Sequence, residues 1–189
     1  AVNLSGKHFA DPQLVSQIKN VLALSGLDPA SLKLELTESA IMENAERAIQ
    51  MLSQIKETGV QLSIDDFGTG YSSLSYLHRF PIDLLKVDRS FVSAMEENSE
   101  NGEIVRTVIA LAKALRLKVV AEGIESIHQF HQLRILKCEY GQGYLFSKPQ
   151  KVADIENLLA EDGHWQHFLP QAPRPVPAAA NISPLRLAN

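Results

Sequence analysis

The sequence is short of the features that mark secreted and membrane proteins. It contains one cysteine, Cys138, so no internal disulfide can form and a reducing compartment fits best. No apolar run reaches the ~18 residues that cross a bilayer. The first ten residues lack both the basic start and the apolar stretch of a signal peptide. We therefore expect a cytoplasmic domain without a membrane segment of its own, although upstream segments could anchor a parent protein.

Positive charge is also in short supply. The chain carries 18 Lys and Arg against 22 Asp and Glu, which gives a formal net charge of −4. This balance argues against a broad surface for DNA or RNA, which needs a basic excess. A small phosphate ligand held through metal ions remains compatible with it. The 189 residues, 45% of them hydrophobic, suit one globular domain with a sizeable core.

Proline is sparse until the end of the chain, where five of the nine prolines fall within residues 170–189. Pro-rich sequence of this kind cannot build a packed core. We therefore predict a disordered tail over 170–189, which leaves residues 1–169 as the domain.

Within the predicted domain, short apolar strands alternate with amphipathic helices, a pattern that predicts a parallel sheet with right-handed crossovers. Six strand–helix units are present, whereas a complete TIM-type (β/α) barrel has eight and ~250 residues. We expect an α/β fold in which about six of eight barrel units form an incomplete barrel. An open doubly wound sheet is the alternative. The expected strands lie at Val2–Leu4, 32–38, 61–67, 84–88, 118–124 and 140–146; the expected helices begin at Asp11-Pro12 and after Ser126, and cover 45–58, about 72–79, 102–116 and 152–161.

Each expected strand carries a polar residue among apolar neighbours. Since side chains alternate along a strand, these residues share one face. In a barrel that face lines the interior, and active sites form where the strands end. The set consists of Asn3, Glu35, Asp65 with Asp66, Lys86, Glu122 and Gln142.

These residue types suit metal-dependent hydrolysis of a phosphate ester. Several carboxylates in one cleft repel each other, and divalent cations would offset that cost. Oxygen ligands without His or Cys favour Mg²⁺ or Mn²⁺ over zinc. Two such ions beside a lysine could activate water and stabilise the leaving oxygen.

Each residue alone also has a purely structural interpretation. Asp65-Asp66 could form a strand-end turn, and Glu35 could be a solvated residue on an edge strand. Lys86 could pair with a surface acid, and Glu122 could simply follow a strand. The glycines beside Gln142 could mark only a tight strand end.

Six segments of the chain resemble the EAL-type cyclic di-GMP phosphodiesterase domain. They are VNLS (2–5), LELTES (34–39), IDDFGTGYSSLSYL (64–77), LKVDRSFV (85–92), VVAEGIES (119–126) and GQGYLFSKP (141–149). The resemblance implies a barrel that hydrolyses one phosphodiester of cyclic di-GMP to linear pGpG with two Mg²⁺ or Mn²⁺ ions.

The resemblance also implies roles for individual residues. The metal ligands would be Asn3, Glu35, Asp65, Asp66 and Glu122, and the catalytic residues Lys86, Glu122 and Asp66. Gln142 would orient the site, Glu125 would support Glu122, and Glu38 would anchor the loop after the third strand. That loop, 67–73, would couple substrate binding and dimerisation to metal occupancy through Phe67, Gly68, Thr69 and Gly70.

The Glu-Ala-Leu tripeptide that names the family does not occur in the 189 residues. The resemblance places it upstream of VNLS and implies that its glutamate is a further metal ligand. Upstream sensory or GGDEF-type domains and a homodimer are the expected partners. A non-catalytic cyclic di-GMP-binding or protein-interaction module is the alternative function, and a fragment unable to fold alone is a third interpretation.

Overall fold

The structure, a computed structural model, describes residues 1–70, 74–95 and 99–160, which contain six β-strands and eight α-helices. The chain divides into a first unit, Ala1–Lys148, and a second, Pro149–Asn189, to which the last helix belongs. No helix in these described ranges is both long and apolar enough to span a membrane.

The strands are β1 Val2–Leu4, β2 Lys33–Thr37, β3 Gln61–Phe67, β4 Leu84–Val87, β5 Lys118–Ala121 and β6 Tyr140–Gly141. The helices are α1 Leu14–Ser25, α2 Glu38–Met42, α3 Ala45–Lys56, α4 Leu74–Leu77, α5 Arg89–Ser93, α6 Ser99–Ala114, α7 Ile127–Ile135 and α8 Val152–Ala160, with 3-10 helices at Gly6–Ala10 and Pro29–Ser31.

The six strands form one parallel sheet in sequence order, β1-β2-β3-β4-β5-β6. A doubly wound sheet reverses its strand order part-way, so this order excludes that alternative. The sheet is also curved. This is shown by the short distance of 5.9 Å between Lys33 Nζ on β2 and the ring centroid of Tyr140 on β6. Side chains standing upright on a flat sheet would be about 19 Å apart across four strand spacings. The predicted incomplete α/β barrel is confirmed.

The outward face of the sheet packs on the helices and forms the hydrophobic core. Leu36, Leu62 and Leu85 are fully buried there against helix residues such as Leu52 and Val105. Full burial of one such side chain contributes about 1.5–3 kcal/mol. The outward face thus holds the strands in place and leaves the other face free for polar groups.

Three predicted element boundaries are wrong. Helix α1 begins at Leu14, two residues after the predicted Pro12, although the Asp11 carboxylate accepts the Gln13 N–H at 2.8 Å as an N-cap residue does. Strand β5 ends at Ala121 rather than at residue 124, because the chain turns at Gly123, whose φ is 67°. The last strand covers Tyr140–Gly141 rather than 140–146. It ends early because the chain turns at Gly143, where a Cβ would lie 2.2 Å from the Ile124 carbonyl oxygen.

The other elements match the predictions to within a few residues. Ser126 caps α7 as expected, accepting the Gln129 N–H at 3.1 Å. The tail predicted over 170–189 and the domain end at 169 lie outside the described residues and stay predictions.

We expect Ser63→Ala to stabilise the protein. Ser63 Oγ lies on the inner face of β3, is fully buried, and has no hydrogen-bond partner within the described ranges. An unpaired buried hydroxyl costs about 1–3 kcal/mol, so its removal should raise the free energy of unfolding by about 1 kcal/mol in urea titrations. The exposed Ser39→Ala is the matched control and should change little. A loss of stability in Ser63→Ala would mean that the hydroxyl has a partner, such as bound water.

Candidate metal centre

Charged groups from four adjacent strands meet around Lys86. Its ammonium lies 2.9 Å from Glu35 Oε2 on β2, 2.9 Å from Asp65 Oδ1 on β3 and 2.6 Å from Glu122 Oε1 just after β5. Lys86 is only 4% exposed, and its neighbours Leu85 and Val87 are buried on the opposite face of β4. These four predicted site residues therefore form one cluster, which we name the Lys86 cluster.

A β-bulge allows two consecutive aspartates to face this cluster. Alternation alone would turn Asp66 away from Asp65. The register with β4 instead shifts between Ile64 and Phe67, and Asp66 adopts a left-handed φ of 53°. A bulge of this type inserts one residue and restores the alternation after it, so Phe67 again packs outward into the core.

One oxygen from each of Asp65, Asp66 and Glu122 lies within 4.8 Å of the other two, and we name these three residues the acidic group. Burial raises the pKa of Glu122, and the charges of Asp65 and Glu35 raise it further in spite of the nearby Lys86. Burial and then the charges of Asp65 and Asp88 likewise raise the pKa of Asp66. The protein alone therefore disfavours full ionisation of this acidic group.

The pKa of Lys86 is also raised, which for an amine favours the charged form. Burial by itself would lower the pKa of the ammonium, but hydrogen bonds to Glu122, Asp65 and Glu35 raise it well above its ordinary value. Lys86 is thus a permanent cation at neutral pH. It cannot serve as a proton acceptor in this arrangement.

Asp88 belongs to the site although the sequence reasoning missed it. Its carboxylate caps α5 by accepting the Ser90 N–H at 2.9 Å. Burial opposes ionisation of Asp88, but the hydrogen bonds from Ser90 lower its pKa overall. The charge of Asp88 in turn contributes to the raised pKa of Asp66. The available signal was spacing, because Asp88 lies two residues after Lys86.

The loop after β3 is tied to α2. The Gly68 N–H donates to Oε2 of the buried Glu38 at 3.0 Å, and a Cβ at Gly70 would lie 3.1 Å from Glu38 Oε1. Thr69 donates its hydroxyl to the Asp66 carbonyl oxygen at 2.8 Å. The structure thus brings Glu38 to the loop assigned to it, while residues 71–73 of that loop lie outside the described ranges.

Three predicted site residues lie at the margin of the cluster. Asn3 is exposed on the edge strand β1, at the register position of Glu35. Gln142 is exposed after β6 and uses its backbone, donating to the Ala121 carbonyl oxygen at 2.9 Å. Glu125 is exposed and pairs with Arg89 at 2.7 Å.

The donor set fits divalent cations. Five carboxylates (Glu35, Asp65, Asp66, Asp88 and Glu122) surround or adjoin one ammonium, so negative charge is in excess. All the donors are oxygens, which hard ions such as Mg²⁺ and Mn²⁺ prefer. A parallel, barrel-type α/β sheet with these oxygen donors at its strand ends belongs to the class of barrel domains that could hold such ions.

Comparison with known proteins assigns the chain to a family. The family model of the EAL domain matches residues 1–149, and the chain belongs to this family. It is 47% identical over 159 residues to the cyclic di-GMP phosphodiesterase NbdA of Pseudomonas aeruginosa, a match that covers 84% of this chain and 20% of NbdA. The chain thus spans about a fifth of that relative.

Solved structures show the same fold. The PaMucR phosphodiesterase in its c-di-GMP complex matches with a TM-score of 0.79 and 42% identity, over 81% of this chain and 62% of that one. The manganese/cy-diGMP complex of Klebsiella pneumoniae BlrP1 matches with a TM-score of 0.72 and 33% identity, over 78% and 38% of the two chains.

We expect Glu122→Gln to raise the midpoint of thermal unfolding of the metal-free protein at pH 7 by a few degrees. The raised pKa of Glu122 means that the folded state holds its proton more tightly than the unfolded state. The associated stability is present below the ordinary pKa of 4.5 and is lost as pH rises through the raised pKa of the folded state. The Glu122→Gln variant should therefore show a flatter decline in stability above that pH.

Thermal unfolding in chelator across pH 4.5 to 8 would test this expectation. Glu103→Gln, at an exposed glutamate in a loose pair with Arg106, is the control. A lower midpoint with an unchanged pH dependence would show that the bond to Lys86 outweighs burial of the Glu122 charge.

Proposed function

We propose that this chain carries part of the active site for metal-dependent hydrolysis of cyclic di-GMP to linear pGpG in bacterial second-messenger signalling. The observation that supports this most is the Lys86 cluster, in which Glu35, Asp65 and Glu122 surround one buried ammonium. Membership of the EAL family and the names of NbdA and PaMucR point to the same reaction.

In this proposal Asn3, Glu35, Asp65, Asp66 and Glu122 hold two Mg²⁺ or Mn²⁺ ions. Bound ions would polarise the phosphate and activate water. The BlrP1 manganese complex supports the choice of metal.

The protein's own groups have distinct tasks. Lys86 supplies a fixed positive charge for the phosphate, because its carboxylate partners keep it protonated. Glu122 and Asp66 are the candidates for accepting a proton from water, since their raised pKa values bring them closer to neutrality. Gln142 would orient the ligand, and Glu38 would hold the loop around Phe67, Gly68, Thr69 and Gly70.

The whole protein would contain more than this chain. We propose a cytoplasmic domain, with upstream sensory or GGDEF-type domains, that acts as a homodimer. The small share of NbdA that the match covers supports additional domains. The Glu-Ala-Leu glutamate would come from an upstream segment and complete the ligand set.

Hydrolysis of cyclic di-GMP with Mn²⁺ is the direct test, run on the 189-residue chain and on a version extended upstream to include Glu-Ala-Leu. We expect pGpG from the extended version. A folded extended version without turnover would remove the proposal. Binding of cyclic di-GMP by a version that neither hydrolyses it nor needs metal would favour the sensor function instead.

In the active version, Glu35→Gln and Asp65→Asn should each abolish turnover, a loss of at least about a hundredfold. Each variant keeps the side-chain volume but removes one carboxylate that the proposal assigns to metal. Product formation and circular dichroism would be measured together, so that loss of activity is separated from loss of fold. The exposed Glu57→Gln is the control. Normal turnover in either site variant would contradict the ligand assignment.

Lys86→Ala should lower kcat much more than it raises KM. The ammonium would stabilise charge that develops on the phosphate, an interaction that is stronger in the transition state than in the ground state. Steady-state kinetics would measure both constants, with the exposed Lys19→Ala as control. A change confined to KM would remove Lys86 from the chemical step and leave it a role in binding.

A further inference from the structure

Gly123, directly after the site residue Glu122, lies beneath the side chain of Arg89. Gly123 has a φ of +67°, and a Cβ built on it would lie 2.1 Å from Arg89 Cγ and 2.7 Å from Arg89 Cβ. The aliphatic part of Arg89 therefore rests on the backbone of the turn after β5. Any larger residue at 123 would displace it.

The charged end of Arg89 is also fixed. Its Nη2 lies 2.7 Å from Glu125 Oε1, two residues beyond Gly123. Glu125 is itself held by its backbone, because its N–H donates to Gln129 Oε1 at 2.8 Å, and Gln129 is 6% exposed. Arg89 thus spans the turn and pairs with Glu125, whose backbone is held by the buried Gln129 side chain.

This arrangement joins the loops after β4 and β5, which carry Asp88 and Glu122. Arg89 immediately follows Asp88, whose carboxylate caps α5. Glu122 immediately precedes Gly123, and its N–H donates to the Val87 carbonyl oxygen at 3.1 Å. Two interactions therefore join these loops. One is the backbone hydrogen bond from Glu122 to Val87, and the other is the ion pair between the Arg89 and Glu125 side chains.

We propose that Arg89, Gly123 and Glu125 form a clamp that sets the spacing between the Asp88 and Glu122 carboxylates, and so tunes the affinity of the site for divalent cations. Arg89 and Glu125 are positioning residues that act through Asp88 and Glu122. The metal-affinity part of this inference rests on the proposed function.

An ordinary surface ion pair is the competing explanation. The exposed fractions of the two side chains, 59% for Arg89 and 44% for Glu125, are typical of pairs worth about 0–1 kcal/mol in stability. The pair Arg79–Glu46 has similar exposure, 42% and 61%, and a distance of 2.8 Å. It joins Arg79, which follows α4, to Glu46 on α3 rather than joining the site loops, and it is therefore a matched control.

The experiment measures Mn²⁺ affinity of the 189-residue chain by calorimetry, in the wild type and in Arg89→Ala, Arg89→Lys, Glu125→Gln, the double variant Arg89→Ala/Glu125→Gln and Arg79→Ala. We expect Arg89→Ala and Glu125→Gln each to weaken Mn²⁺ binding about tenfold, as losses of supporting hydrogen bonds do. The double variant should lose no more than either single variant, because both remove one link. Arg89→Lys should restore part of the affinity, and Arg79→Ala should change nothing.

A second measurement is independent of metal. Amide hydrogen exchange of the metal-free chain should be faster at Glu122 and Glu125 in Arg89→Ala and unchanged there in Arg79→Ala. Gly123→Ala should give the same local effect by displacing Arg89. Gly102→Ala, at a helical glycine with open space around its Cβ position, is its control. Should Gly123→Ala fail to fold, Glu125→Gln still provides the test.

Wild-type affinity in both Arg89→Ala and Glu125→Gln would overturn the clamp, as would additive losses in the double variant. A wild-type chain that binds no Mn²⁺ would count against the proposed function rather than the clamp. Hydrogen exchange then decides, and unchanged exchange at Glu122 in Arg89→Ala would overturn the clamp on its own.

Discussion

The ammonium of Lys86 makes it possible for carboxylates from several strands to occupy one end of the sheet. Glu35, Asp65 and Glu122 lie within 2.9 Å of it, in surroundings where like charges would otherwise repel strongly. Parallel strands direct their carboxyl ends to the same edge of the sheet, so the acidic residues at those ends lie close together. One ammonium does not balance five carboxylates, and the remaining negative charge suits the binding of divalent ions.

Backbone conformation determines which carboxylates can share that cation. The bulge between Ile64 and Phe67 turns Asp65 and Asp66 to the same side and still returns Phe67 to the core. Glu38 fixes the loop that follows, through the Gly68 N–H. The acidic group is therefore positioned by buried apolar residues and by hydrogen bonds outside it.

The loops after β4 and β5 extend the same principle beyond the carboxylates around Lys86. Asp88 caps α5, and Arg89 crosses Gly123 to reach Glu125. The glycine is required there by close approach of another side chain. Residues outside the carboxylate cluster are thus in contact with the loops that carry it, and outer partners of this kind orient the ligands in metal sites generally.

The sequence by itself determined the strands, the helices and the polar residue that interrupts each strand, because alternation and helical periodicity depend on neighbours along the chain. From these, the barrel-type fold and the meeting of Glu35, Asp65, Lys86 and Glu122 could be predicted. The tertiary structure alone decided the bulge that brings Asp66 to the site, the part played by Asp88, and the pairing of Glu125 with Arg89 rather than with the acidic group. It also ended β6 at Gly141, where Gly143 closes against Ile124. These features depend on contacts between residues that are distant along the chain, and local patterns carry no record of such contacts.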